Sequence, residues 1–251
     1  MPSWDVWSQW LELMWGGLRF TFALSAISSV TTLMFGAVLA LLAVAPSRLV
    51  RFAARTWIEV FRSIPLLAMM ILFYFGMGPL VAKIGMNAFT IAVISLTLSM
   101  SSYVAEVFRG AVSGVSRKQW DAASSIGMSH SQTLRWIIIP QVLAPLVPPA
   151  VNIVIGVIKF SSLASLITVN ELTLSATQAV SISFYPLYVY VLVGLFYAAL
   201  ILPLIYFSRW LERWVQRRFG LVSAPVNRGL ASLSYEDVSK SAALAGARGD
   251  K

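Results

Sequence analysis

The sequence predicts an all-α membrane bundle of five transmembrane helices, with the N-terminus outside and the C-terminus in the cytoplasm. Three observations carry this expectation. Of 251 residues, 58% are hydrophobic and only 12% are charged, against roughly a quarter charged in a soluble domain. Five uncharged windows of at least 20 residues run along the chain, and a hydrocarbon core of about 30 Å takes about 20 helical residues. The basic residues gather in alternate loops, the pattern that cytoplasmic loops show. Lipid offers the backbone no partners, so windows this long favour helices over barrel strands.

The first window, Phe20 to Ala45, has 26 residues. It exceeds a signal-peptide core, and "MPSWDVWSQWLE" before it has no basic region, so it reads as a retained anchor. Trp4, Trp7, Trp10 and Trp15 suit an interfacial amphipathic segment over residues 1–15. Arg48, Arg51 and Arg55 separate this window from the second, Ser63 to Ala82. Lys83 alone separates the second from the third, Ile84 to Ala105. Arg109, Arg117, Lys118 and Arg135 precede the fourth, Trp136 to Ile158. The loop to the fifth, Leu172 to Ser208, contributes Glu171, and Arg209, Arg213, Arg217 and Arg218 follow it. By the positive-inside rule the orientation follows. Residues 220–251, rich in Ser, Ala and Gly, read as a flexible cytoplasmic tail.

Several functions are excluded by what is lacking. There is no cysteine and a single histidine, His130, so neither a thiolate site nor a histidine metal site can be built, and no catalytic or metal residues are assigned. His130 reads as a polar surface residue. No G-x-x-x-x-G-K-[ST] occurs, so the chain has no P-loop for a nucleotide. The net charge of +9 is accounted for by the cytoplasmic loops rather than by nucleic acid.

One stretch looks soluble. "DAASSIGMSHSQTLRWIIIP", Asp121 to Pro140, lies in the longest basic loop, residues 113–140. Ser116 to Gln119 and Ser129 to Gln132 have the capping-box form. Gly127 falls where a helix ending near Ile126 needs a left-handed residue, and Pro140 is expected to close a second helix. Trp120, Ala123 and Ile126 are expected on one face of the first helix, and Leu134, Ile137 and Ile138 on one face of the second. A DNA-binding helix-turn-helix has a similar outline. A recognition helix tethered to the bilayer at both ends could hardly enter a major groove, which leaves a docking element for a cytoplasmic partner.

The same residues carry a resemblance. "DAASSIGMSHSQTLRWIIIP" resembles the EAA loop of ABC importer permeases, with Asp121 where that family has Glu. "IEVFRSIPLL" from Ile58, "YVAEVFRGAV" from Tyr103, "IKFSSLASLI" from Ile158 and "LPLIYFSRWLERW" from Leu202 are similar to the polar amino-acid uptake subfamily, the histidine/glutamine permease type. The similarity runs from about Gly16 to Phe219. It implies a type I importer fold over residues 16–219 and a coupling role for Asp121, Ala122, Ala123, Gly127 and Pro140. It also implies a cytoplasmic ABC ATPase dimer holding ATP and Mg, a second permease subunit, like or identical, and a periplasmic solute-binding protein. The location would be the bacterial inner membrane, the solute a polar amino acid or related zwitterion, and this chain itself would need no cofactor.

Two further groups stand out. Glu59 with Arg62, and Glu106 with Arg109, lie three apart and can each pair along a helix; they are interfacial anchors or a gate pair between spans. Span four carries Pro140, Pro145, Pro148 and Pro149 and then Asn152, Lys159, Phe160, Ser161 and Ser162; either the prolines only set packing and Lys159 snorkels to the interface, or the span lines the solute path. Phe160 sits where the family is often acidic or amide, so this subunit is expected to give no anionic grip of its own. An ion-coupled secondary carrier is the alternative, and a membrane-tethered regulator a third reading. A carrier usually shows membrane carboxylates or an inverted repeat, and neither is found within spans one, three and five.

Overall fold

The computed structural model describes residues 3–78, 83 and 85–219, without the side chains of 218 and 219. Among them are helices α1 (Trp4–Ala43), α2 (Arg48–Ser63), α3 (Leu66–Ile71), α4 (Ala88–Ser113), α5 (Arg117–Ser125), α6 (His130–Thr133), α7 (Ile139–Phe160), α8 (Leu172–Ser183) and α9 (Pro186–Phe219). No strand occurs among the described residues. Four helical runs are long and apolar enough to cross a membrane, and α2 with α3 and its continuation forms a further pair bent by 94°. The compact unit ends at Glu212. The tail from residue 220 lies outside the described residues.

Helix α1 is 40 residues long, about 60 Å at 1.5 Å per residue. The expected interfacial segment is therefore not separate from the first span. Trp10 and Met14 are buried against Leu172, Ala176 and Ala179 of α8 and Val189 and Val193 of α9. Trp7 meets Trp10 edge-on at 5.1 Å, and Trp10 meets Tyr185 at 6.1 Å. Trp10 is thus covered by protein, while Trp4 and Trp15 remain exposed, as an interfacial segment would have them.

Proline places the breaks. The second window does not start a helix at Ser63: Ile64 is extended, with ψ 123°, because the ring of Pro65 disfavours helical geometry before it. Helix α3 then begins after Pro65 and widens into a π-turn over Leu72–Gly76. Residues 79–82, the end of that window, lie outside the described residues. The fifth window is also interrupted. Helix α8 stops at Phe184, which is left-handed at φ 58°, and α9 starts at Pro186, whose missing N–H costs nothing in a first turn.

The fourth window shows the opposite outcome. Pro140 closes no helix, because one helical run extends from His130 to Ile167. A π-turn over Leu134–Ile138 opens the backbone just ahead of Pro140, with the Ile139 N–H donating to the Leu134 carbonyl. That widening gives room where the proline ring would meet the carbonyl four residues back. Pro145, Pro148 and Pro149 lie inside α7 without ending it.

Helices α1 and α4 pack through small residues. Thr21, Ser25, Ser28, Ser29, Thr32 and Gly36 on α1 are buried, as are Ser95, Ser99, Ser101 and Ser102 on α4. Thr31 and Thr97 share a hydrogen bond of 2.6 Å between the two helices. A Cβ added at Gly36 would lie 2.5 Å from the Cβ of Val104 and 3.0 Å from the carbonyl oxygen of Ser101. Such a contact requires the helices to part. Gly36→Val is expected to lower stability by about 1–3 kcal/mol, and adding Val104→Ala to recover part of it. Thermal unfolding of the purified variants checks this; an unchanged melting temperature for Gly36→Val would show that the helices are not in close contact.

Candidate functional site

The loop between α4 and α7 is built from local signals. Helix α5 ends in a Schellman motif: the Met128 N–H donates to the Ala123 carbonyl at 3.1 Å and the Gly127 N–H to the Ser124 carbonyl at 3.0 Å. Gly127 takes φ +79°, the left-handed value expected from its position. Ser129 and Gln132 form the full capping box, with Gln132 N to Ser129 Oγ at 3.3 Å and Ser129 N to Gln132 Oε1 at 2.8 Å. The box expected at Ser116 does not form. Gln119 N–H turns to the Ser116 carbonyl at 3.0 Å, and Ser116 Oγ accepts instead from Lys118 N at 3.4 Å.

Inside the loop Ala123 is fully buried, and Leu134 and Ile138 belong to a core with Leu39, Ala43, Ile58, Phe108 and Val112. Ile126 does not share the inner face with Ala123; it is 75% exposed. Ile126 is the C-cap, where the backbone leaves helical geometry (φ -97°, ψ 15°), so the Schellman turn carries its side chain off the face that Ala123 shares. Asp121, Ala122 and Ile126 are exposed, and Asp121 also stands at the edge of a basic pocket that it lines with Arg51, Arg55, Arg109 and Arg117. His130 is exposed and stacks on Trp120 with centroids 5.0 Å apart, clasping α5 to α6. With four residues before its π-turn, α6 runs into α7 and is no independent recognition helix.

Of the two expected intrahelical ion pairs, one forms. Arg109 donates to Glu106 twice, Nε to Oε2 at 2.9 Å and Nη2 to Oε1 at 2.6 Å. Arg62 leaves Glu59 and reaches across from α2 to Glu106 Oε1 at 3.8 Å. Glu59 has no ion pair among the described residues but lines, with Arg55, Arg62, Glu106 and Arg109, a cavity of about 340 Å³. All three charged groups of the cluster are about a third or more exposed, and exposed pairs contribute little to stability. The cluster joins α2 to α4 through Arg62 and Glu106 and adds little to stability.

The residues expected along span four do not converge. Asn152 Oδ1 accepts from Ser208 Oγ of α9 at 3.2 Å. Seven and eight residues further on, about 10–12 Å along the helix, Lys159 and Phe160 are exposed. Ser161 is buried and donates to the Ile158 carbonyl at 2.8 Å, while Ser162 donates to the Lys159 carbonyl at 2.7 Å. Both hydroxyls are thus engaged by their own helix.

Glu171 is the polar centre that sequence reasoning missed. It is fully buried. Its Oε1 caps α8 by accepting from Leu174 N at 2.9 Å, and its Oε2 accepts from the Tyr197 hydroxyl of α9 at 2.8 Å. Next to it, Leu172 N donates to Thr21 Oγ1 of α1 at 2.9 Å. The sequence signal was a lone carboxylate opening an apolar window.

The fold and this loop define a multi-pass transport component. Residues 32–220 match the family described as binding-protein-dependent transport system inner membrane component, and the chain belongs to that family. Among curated relatives, the probable amino-acid ABC transporter permease YckA of Bacillus subtilis (strain 168) is 35% identical, over 78% of this chain and 86% of its own. The octopine transport system permease OccM of Rhizobium meliloti is 33% identical, over 85% and 92%. Among solved structures, the crystal structure of an amino acid ABC transporter with histidines is 29% identical with TM-score 0.76, covering 85% of this chain and 99% of that one. An inward-facing MetNI methionine ABC transporter, at 19% identity and TM-score 0.62, shares the fold. Membership supports a permease subunit over an ion-coupled carrier.

Glu171→Ala removes both a helix cap and a hydrogen-bond acceptor between helices. It is expected to cost about 1–3 kcal/mol, and Glu171→Gln, which keeps an acceptor oxygen, much less. Tryptophan fluorescence during thermal unfolding measures both; an alanine variant as stable as the parent would show that Glu171 does not join α8 to α9.

Proposed function

We propose that this chain is the membrane subunit of a bacterial ABC importer for polar amino acids or related small zwitterions, seated in the inner membrane. The observation that supports this most directly is the loop over residues 113–140. It is an ordered, capped pair of short helices presenting Asp121 and Ala122 outward between two spanning helices. The relatives named as amino-acid permeases supply the solute class. In the proposed orientation the N-terminus is outside and the loop is cytoplasmic, since Arg109, Arg117, Lys118 and Arg135 surround it.

The proposed partners are a cytoplasmic ATPase dimer that holds ATP and Mg, a second permease subunit and a periplasmic binding protein. The chain performs no covalent chemistry. Ala123 and the Trp120–His130 stack join α5 to the core, and Gly127 holds the turn, so a push on Asp121 and Ala122 is passed to α4 and α7 rather than absorbed. Such a rigid-body transfer suits alternating access. The cluster of Arg62, Glu106 and Arg109 is proposed as a contact between α2 and α4 that is remade as the helices shift. Glu59 faces the same cavity as an alternative partner for these arginines.

The coupling role has a direct test in the assembled transporter. Gly127→Val forces a β-branched residue into a left-handed backbone, a strain of about 1–3 kcal/mol, and Asp121→Lys reverses the charge of the exposed face. Both variants are expected to insert normally, and to lose either the bound ATPase subunit or its stimulation by loaded binding protein. A cysteine placed at position 118 is expected to react with an impermeant thiol reagent from the cytoplasmic side only. Full coupled uptake in both variants, or labelling of position 118 from outside, would falsify the assignment.

For the solute path, the neutral hydrogen-bonding candidates are Asn152 and, more than about 12 Å further along, Ser162, with Lys159 and Phe160 beside Ser162; Ser161 is buried and bonded to the Ile158 carbonyl. Phe160 offers an apolar face or a cation–π contact. Asn152→Ala, Phe160→Ala and Ser162→Ala are expected to change solute preference or uptake rate with ATPase binding intact, read by competition over a panel of amino acids. If none of the three alters either quantity, this stretch is scaffold.

A further inference from the structure

An apolar groove and a basic pocket lie end to end along the same helices. The groove, about 370 Å³, runs between Leu33, Ala37 and Leu41 of α1, Val107 of α4, and Leu143 and Leu146 of α7. The pocket, about 400 Å³, begins where the groove stops and is lined by Arg51 and Arg55 of α2, Arg109 of α4 and Arg117 of α5. The two share helix faces. Ala40 and Phe108 line the groove, while Val44 and Val112, each four residues further on, line the pocket. Four residues is one helical turn on one face, so the two voids are about 6 Å apart along α1 and α4.

The pocket carries an excess of positive charge, offset in part where Arg55 and Arg109 also face Glu59 and Glu106 in the adjoining cavity. Four arginines line it against one carboxylate, Asp121. Arg109 is shared with Glu106, and Arg51 spends an N–H on the Ala45 carbonyl at 2.7 Å. Arg55 and Arg117 have no carboxylate within ion-pair distance among the described residues. Guanidinium groups match a phosphate in planar, bidentate geometry. The groove beside them offers only apolar side chains at the depth of the spanning helices.

We propose that the groove and the pocket together form a site for one phospholipid with an anionic head group, drawn from the leaflet on the side of the 113–140 loop. The phosphate lies among Arg55, Arg109 and Arg117, and an acyl chain lies in the groove between α1, α4 and α7. The proposal rests on these helices spanning a membrane and not on which solute is carried. A free anion would leave the groove unfilled. An acidic protein segment satisfies the pocket but not an apolar groove at membrane depth. Because Arg55 and Arg117 belong to α2 and α5, the head group would also brace the loop against α2.

The probes are phosphatidylglycerol and phosphatidylcholine, offered as an equimolar mixture to the full-length chain in mild detergent, with retained lipid counted by native mass spectrometry. Phosphatidylglycerol is expected to be retained at least about fivefold over phosphatidylcholine. R55Q/R117Q is expected to bring that ratio towards one, R55K/R117K, which keeps the charge but not the bidentate fork, to leave it in between, and A37F, which fills the groove, to lower retention of both lipids. Monodisperse gel filtration certifies each variant, and the single variants R55Q and R117Q replace the double one if it aggregates. Equal retention of the two lipids, or a ratio unchanged in R55Q and R117Q, overturns the proposal. So does displacement of the lipid by excess inorganic phosphate alone, which marks a soluble-anion pocket. Conversion of a dimer to a monomer by A37F without lipid loss assigns the groove to a second copy and overturns it too.

Discussion

The close approach of α1 and α4 is the contact around which the other helices are arranged. Between helices in lipid there is no hydrophobic gain from contact, because acyl chains are as apolar as leucine; van der Waals packing must hold them. That requires backbones to come near one another. Gly36 against Ser101 and Val104, and Gly17 against Leu172 and Ser175, are the points where even a methyl group has no room. The buried hydroxyls between them matter mainly through their small size, since Ser25, Ser28, Ser29, Thr32 and Ser95 find no hydrogen-bond partner among the described residues.

From this axis the remaining helices take their places in two groups. Towards the N-terminal end of α1, Trp10 and Met14 receive α8 and α9, and Glu171 with Thr21 and Tyr197 supplies the polar joint. A buried carboxylate is tolerable there because each oxygen accepts a hydrogen bond. Towards its C-terminal end, Leu39 and Ala43 meet α2, α4 and the start of the α7 run. One long helix therefore connects the polar joint around Glu171 with the core beneath the 113–140 loop.

That continuity suits the proposed work of the chain. Few soft elements lie between the exposed face of α5 and the apolar core, because the Schellman hydrogen bonds at Gly127, the capping box and the Trp120–His130 stack each remove a degree of freedom. The ion pairs around Glu106, being exposed, cost little to break. A rigid lever beside a weak latch is a reasonable mechanical basis for passing partner movement into the bundle.

Much was legible in the sequence because it depends on local rules. Spanning segments follow from the length of uncharged runs, since lipid enforces internal hydrogen bonding. The turn at Gly127 and the cap at Ser129 follow from residues within four positions of one another. Family membership was readable from five ordered motifs, and the relatives bear it out. The tertiary structure decided what proline and charge would do. Pro65 and Pro186 break helices, while Pro140 is absorbed by a π-turn and Pro145, Pro148 and Pro149 by α7. Whether a proline ends a helix depends on whether the neighbouring backbone can widen, which its own sequence does not state. Arg62 pairs with Glu106 rather than Glu59, and Glu171 meets Tyr197, because those partners come from distant parts of the chain. Sequence spacing measures reach along one helix only; the choice among partners on different helices is made by how the helices pack.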